Sequence, residues 1–242
     1  MPKSYKVCPV RLFKNDRISE KKLKMGAQQP LPDVPEPPQT TIYKAHDEVR
    51  IGDFQSYIIE HEREVKLHGR INTQRFSAFI QMGIIKAYES PSQLLLLLSG
   101  KKADILDFCR RTADMPDLKI ATVSADMKAL LKKLGEVKLA WFRFQKGLVH
   151  ASALMGAHLE KTSEFRQART AGEISTLSFY FEHDGEIHPV MVTDDGAVVL
   201  QDVYHETADE IGLVLDLKRV LLDGICAEHD IQPSRRAQVG RP

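Results

Sequence analysis

Nine acidic and histidine side chains crowd one stretch of this 242-residue chain: Glu182, His183, Asp184, Glu186, His188, Asp194, Asp195, Asp202 and His205. Such groups hold metals when they converge on one point. The backbone that must carry them argues otherwise. Asp184-Gly185 and Asp195-Gly196 each stand between apolar β-formers, the pattern of tight hairpin turns whose positive φ angles suit Asp, Asn and Gly. Two-residue loops would place His183 opposite Glu186, Phe181 opposite His188 and Asp194 opposite Ala197. Leu177, Phe179 and Phe181 then share a face with His188, and Glu182 lies on the other side. Turn chemistry accounts for the aspartates, and no metal is expected here.

A second set lies upstream. Pro116-Asp117 precedes the apolar run Leu118–Val123, and Glu136-Val137-Lys138 opens a later one. Pro-Asp followed by Glu-x-Lys resembles the signature of restriction-type metal-dependent nucleases. The resemblance implies that Asp117 and Glu136 would hold Mg²⁺ while Lys138 orients or activates the attacking water. That family usually joins its two acidic strands as a hairpin. Here Asp126 caps an expected helix, Met127–Leu134, with Gly135 just past its end. Glu-x-Lys also recurs at Glu64-Val65-Lys66. The competing reading is a helix boundary followed by a salt-bridged strand end, and a metal-dependent phosphodiesterase stands as the alternative function.

Two weaker candidates follow. Ser99-Gly100-Lys101-Lys102 sits between an apolar run and a helix, where backbone N–H groups and a lysine could meet a phosphate. It lacks both GxxxxGK[ST] and GxGxxG, so a plain turn is the default. There is no G-x-S-x-G, and Cys109 falls on an apolar helix face, a core position rather than a nucleophile's. The last candidate interleaves aromatic and basic residues: Trp141, Phe142, Arg143, Phe144 and Lys146. Alternation puts Phe142 and Phe144 on one face and Trp141 and Arg143 on the other. One pair belongs to the core, and the other could stack bases.

Charge is distributed unevenly. Residues 1–26 hold eight cations (Lys3, Lys6, Arg11, Lys14, Arg17, Lys21, Lys22, Lys24) against Asp16 and Glu20, and residues 233–242 add Arg235, Arg236 and Arg241 with no acid. The chain as a whole is at +1, so the body between is acidic. Basic ends on an acidic body suit nucleic acid, an anionic surface or an acidic neighbour; the bland reading is that they fold back on the body. Cys8, Cys109 and Cys226 are odd in number and scattered, which points to reduced thiols and a cytoplasmic location. No apolar run approaches the ~20 residues of a membrane span, and no signal-like apolar segment follows Met1.

These residues need elements to position them. Tyr5–Phe13 reads as a short strand, with Pro9 placing it at an edge or in a docking arm. Five prolines between Pro30 and Pro38 form an extended spacer. Phe76, Phe79, Ile80, Ile84 and Tyr88 recur at helical spacing and predict a helix over Arg75–Glu89. Gln93–Ser99 reads as a buried strand, Lys101–Ala113 as a helix and Leu118–Val123 as a second strand. With the helix capped by Asp126 and a strand at Val137–Phe144, these make a β-α-β-α-β unit. An antiparallel β-meander over Ile174–Leu200 and a long helix over Thr207–Glu228 follow.

The expected fold class is therefore α+β. Residues 1–40 form a basic arm and proline-rich linker, 41–232 one domain whose sub-boundary, if it has one, falls near 136–147, and 233–242 a basic tail. The leading expectation is a non-enzymatic binding or adaptor subunit of a larger assembly. It needs no cofactor or metal, and it could form a homo-oligomer. It would contact nucleic acid or an acidic protein chain through the N-terminal cations, with Arg143 and Lys146 as further contacts.

Overall fold

A computed structural model of the chain describes residues 2–13, 21–24, 38–45, 51–71, 74–115, 118–145 and 149–231. In chain order the strands are β1 (Lys3–Phe13), β2 (Lys21–Lys24), β3 (Gln39–Lys44), β4 (Gln55–Ile71), β5 (Gln74–Ser90), β6 (Leu95–Ser99), β7 (Leu118–Ala125), β8 (Leu139–Arg143), β9 (Ala151–Met155), β10 (Glu173–His183), β11 (Glu186–Thr193), β12 (Ala197–Leu200) and β13 (Cys226–Asp230). The helices are α1 (Lys102–Thr112), α2 (Met127–Lys133), α3 (Ser163–Ala171) and α4 (Thr207–Leu217). They divide into two compact units, Met1–Pro9 with Ala121–His229, and Val10–Ile120 with Asp230–Pro242.

The first unit is built on the meander. β10, β11 and β12 pair antiparallel in sequence, Lys3–Lys6 of β1 pair with β12, and β8 and β9 extend the sheet beyond β10. Leu177, Phe179, Val190, Val192, Val198 and Leu200 point into the core, where Ile211, Leu213, Val214 and Leu217 of α4 are also buried. Each such side chain contributes about 1.5–3 kcal/mol when fully buried. Asp184 and Gly185 adopt positive φ, and His183 pairs with Glu186 and Phe181 with His188. The second turn is wider than the expected two residues. Val192 pairs with Val198, so Ala197 faces Thr193 and not Asp194. Gly196 takes the left-handed position of a three-residue loop, and Thr193 Oγ1 accepts the Ala197 N–H at 3.0 Å.

The second unit is a sheet of order β2-β3-β4-β5-β6. Val10–Phe13 of β1 and Leu118–Ile120 of β7 pair antiparallel, with an irregularity between Val10 and Leu12, and Val10 N–H donates to Leu94 O. α1 covers one face of β4 and β5, burying Ile105, Phe108 and Cys109 with Ile59, Ile85 and Ala87.

The expected β-α-β-α-β unit is not formed. Its pieces exist, but β6 pairs with β5, β7 with β1, and β8 with β9 and β10, each antiparallel. β6 and α1 also belong to one compact unit and α2 and β8 to the other. Antiparallel sheet predominates among the described residues, 49% strand against 25% helix, so the α+β assignment with that unit gives way to a sheet-dominated fold. The helix expected over 75–89 is strand β5. Most of its apolar residues are aromatic or β-branched, which favours a pleated surface, and Gly83 sits where α1 comes close: a Cβ there would lie 2.2 Å from Asp104 Oδ2.

The long C-terminal helix is shorter than expected. α4 ends at Leu217, a π-turn spans Lys218–Leu222, and Asp223-Gly224, with Gly224 at φ 83°, turns the chain into β13. A third Asp-Gly pair thus ends the element through which the apolar stripe had seemed to run.

Candidate nucleic-acid interface

β4 and β5 are 17 residues each and pair along nearly their whole length, from Gln55↔Glu89 to Ile71↔Gln74. At ~3.4 Å per residue such a ribbon is roughly 55 Å long. Its root is held by β3, which pairs with Tyr57–His61, by β6, which pairs with Lys86–Ser90, and by α1. Past those contacts, among the described residues, the two strands pair only with each other. The composition changes along the way. From Val65 to Tyr88 the sequence has Lys66, Arg70, Arg75 and Lys86 and not one Asp or Glu. The register sets Arg70 directly opposite Arg75. A two-stranded ribbon is one of the two elements that fit the major groove of a duplex.

At the root, buried polar groups fix the ribbon to α1. Arg63 Nε donates to Asp104 Oδ1 at 2.6 Å and its Nη2 to Gln81 Oε1 at 2.9 Å. His61 has no exposed surface; its Nδ1 lies 2.9 Å from Thr40 Oγ1 and its Nε2 2.9 Å from Asp107 Oδ2. Arg111 pairs with the same carboxylate at 2.9 Å. The hydrogen bond from His61 lowers the Asp107 pKa below the ordinary carboxylate value; burial opposes this, and the charges of Arg111 and His61 add to it. Thr40, His61 and Asp107 line up in the order of a nucleophile, base and orienting acid. Thr40 is only 1% exposed, however, so no substrate can reach it, and the relay is a structural one.

Three of the eight N-terminal cations, Lys3, Lys6 and Arg11, are built into the fold. Lys3 Nζ pairs with the buried Glu210 at 2.5 Å, and Tyr5 donates its hydroxyl to the same carboxylate. Lys6 is buried and reaches Val123 O at 3.4 Å, and Arg11 pairs with Asp230 at 3.3 Å. Lys21, Lys22 and Lys24 stand on β2, the edge strand of the ribbon's own sheet. Lys14, Arg17, Lys146 and Asp117, with the spacer prolines up to Pro37 and the 233–242 tail, lie outside the described residues.

The other candidates are accounted for locally. Lys138 Nζ bonds Glu136 Oε1 at 2.7 Å, and Glu136 also accepts the His158 N–H at 3.3 Å. Their mutual hydrogen bond is the main cause that lowers the Glu136 pKa and raises that of Lys138. In the acidic and histidine set, His183 Nδ1 lies 3.0 Å from Asp216 Oδ2, and His188 Nδ1 lies 3.0 Å from Tyr204 Oη and 3.4 Å from Asp202 Oδ2. Burial, followed by the charges of Asp202, Glu210 and Glu186, pushes Tyr204 up to about 12. Among the described residues no cluster of three His, Cys, Asp or Glu could hold a metal. The Ser99-Gly100 turn leads into α1, whose first turn carries the buried Asp104, a poor neighbour for a phosphate.

Trp141 and Arg143 do lie on the face opposite Phe142, which is buried against Phe165 with ring centroids 5.4 Å apart. Trp141 is 44% exposed, and exposed Tyr180 shares its face through the Thr176↔Trp141 register. The cations there are already engaged, Arg143 by Asp194 and Lys138 by Glu136. The helical reading of 75–89 concealed the ribbon and, with it, the acid-free run that one strand pair carries. No family model and no curated protein matches the chain. Among the described residues no helix is long and apolar enough to cross a membrane.

Proposed function

We propose that this protein is a non-enzymatic binding subunit that contacts nucleic acid through the basic end of the β4–β5 ribbon. The observation that carries the reading is the acid-free stretch from Val65 to Phe79 at the end of a ribbon that, among the described residues, pairs with nothing but itself beyond its root. Lys21, Lys22 and Lys24, on the edge strand of the same sheet, add to the positive field of this unit. Binding of this kind rests on phosphate neutralisation and therefore falls steeply with salt. Replacing Lys66, Arg70 and Arg75 together by glutamate reverses the end of the ribbon without touching its root. Fluorescence anisotropy with a labelled DNA duplex at low salt should show the wild type binding and the triple variant not. Equal binding by the two proteins would end the proposal.

A further inference from the structure

β9 ends the strand order of its sheet, and among the described residues it pairs only with β8. Phe144 N–H donates to His150 O at 2.9 Å and Gly156 N–H to Lys138 O at 3.0 Å. Directly bonded pairs alternate along an antiparallel ladder, so Phe142↔Ser152 and Ala140↔Leu154 are the bonded pairs between them. The N–H and C=O groups of Ala151, Ala153 and Met155 therefore point away from β8. All three residues are exposed, and among the described residues no backbone group bonds theirs on that side. Free edges are ordinarily kept from pairing by lysine, proline or a bulge. β2, at the other end of the strand order, has three lysines in its four residues. From Val149 to Ala157 there is no Lys, Arg, Asp, Glu or Pro, and the β8–β9 register is unbroken. This edge is open to another strand.

We infer that the strand is β9 of a second copy of this chain, paired antiparallel about a two-fold axis at Ala153. The outward groups fix that register. Ala153 faces its own counterpart, Ala151 faces Met155 of the second copy, and each facing pair exchanges two hydrogen bonds. No charge is set opposite a like charge, and the alanines leave room at the junction. Trp141, 44% exposed, stands opposite Ala153 on β8, so an indole from each copy flanks the two alanines. A foreign peptide strand would owe its specificity to pockets for alternate side chains. The alternate positions here, Ala151 and Ala153, form none. A two-fold junction is its own complement and closes the edge in both copies. β9 and the ribbon belong to different compact units, so pairing here is independent of nucleic-acid binding.

The full-length protein provides the test. Light scattering at concentrations up to about 100 μM should give the wild type twice the mass of one copy. Ala153→Lys should give the mass of one copy with the circular dichroism of the wild type. Ala153→Pro should do the same, because it removes an outward N–H and none of those bonded to β8. Oxidation should join Ala153→Cys into a covalent dimer and leave Ala151→Cys unjoined, with the wild type as control for Cys226. In the paired register the two residues 153 lie ~5.5 Å apart, within reach of a disulfide, and the two residues 151 roughly 14 Å apart. A wild type of single-copy mass, a double mass kept by both the lysine and proline variants, or equal cross-linking at 151 and 153 would overturn the proposal.

Discussion

Glu210 shows how a single residue holds an element in place. Its carboxylate is buried and accepts from both Tyr5 and Lys3, tying the first strand to α4 within one unit. Glu210→Ala removes the buried carboxylate that accepts from both Tyr5 and Lys3, and we expect a loss of about 2–4 kcal/mol in urea-unfolding stability. Lys3→Ala, at a half-exposed position, should cost under ~1 kcal/mol. Asp107 makes a prediction about pH. Its folded-state pKa is depressed, first by the His61 hydrogen bond, so its contribution is complete above the unfolded value near ~3.9 and is lost as pH falls through the folded value. Stability measured from about pH 5 down to pH 2 should fall more steeply in the wild type than in Asp107→Asn. Parallel curves would show that the carboxylate is not held this way. None of these partnerships could be seen in the sequence, because each joins residues 46 to 207 positions apart.

At the scale of elements, local turn chemistry was legible and long-range pairing was not. The first Asp-Gly turn fixes the register of β10 and β11 as its positive φ angles require. The second adds one residue, because Thr193 bonds across the loop to Ala197. The helical reading of 75–89 failed for a definable reason. Apolar residues stand on both faces of β5, one set under α1 and the other exposed, and that double pattern imitates a helical stripe. β-strands identified from their flanking turns were therefore found, while the ribbon that carries the proposed function was concealed. Among the described residues its outer part pairs only with itself, so replacing residues 65–79 by a two-residue Asn-Gly turn should leave the melting temperature within about 5 °C of wild type and abolish DNA binding. Collapse of the fold on this truncation would mean that the ribbon's end is part of the core.

For the whole molecule, the decisive feature is β1. Read along the sequence, a basic N-terminus followed by a proline-rich stretch looks like an arm on a spacer, since charge and proline content say nothing of which strands will close around a segment. In the structure Tyr5, Val7, Cys8 and Val10 are buried, with Lys3–Pro9 belonging to one unit and Val10–Phe13 to the other. Deleting residues 1–13 should therefore abolish cooperative thermal unfolding rather than release a folded body. A truncated protein with a sharp wild-type-like transition would show that β1 is dispensable.

The same wholeness gives the central claim its sharpest test, the salt dependence of DNA binding by the intact chain. Each phosphate neutralised contributes about −0.9 to the slope of log K against log salt. We predict a wild-type slope of about −3 to −4 on a duplex, and a slope shallower by about 1 for each of Lys66→Ala, Arg70→Ala and Arg75→Ala. A wild-type slope near zero, or one that these substitutions leave unchanged, would contradict the account.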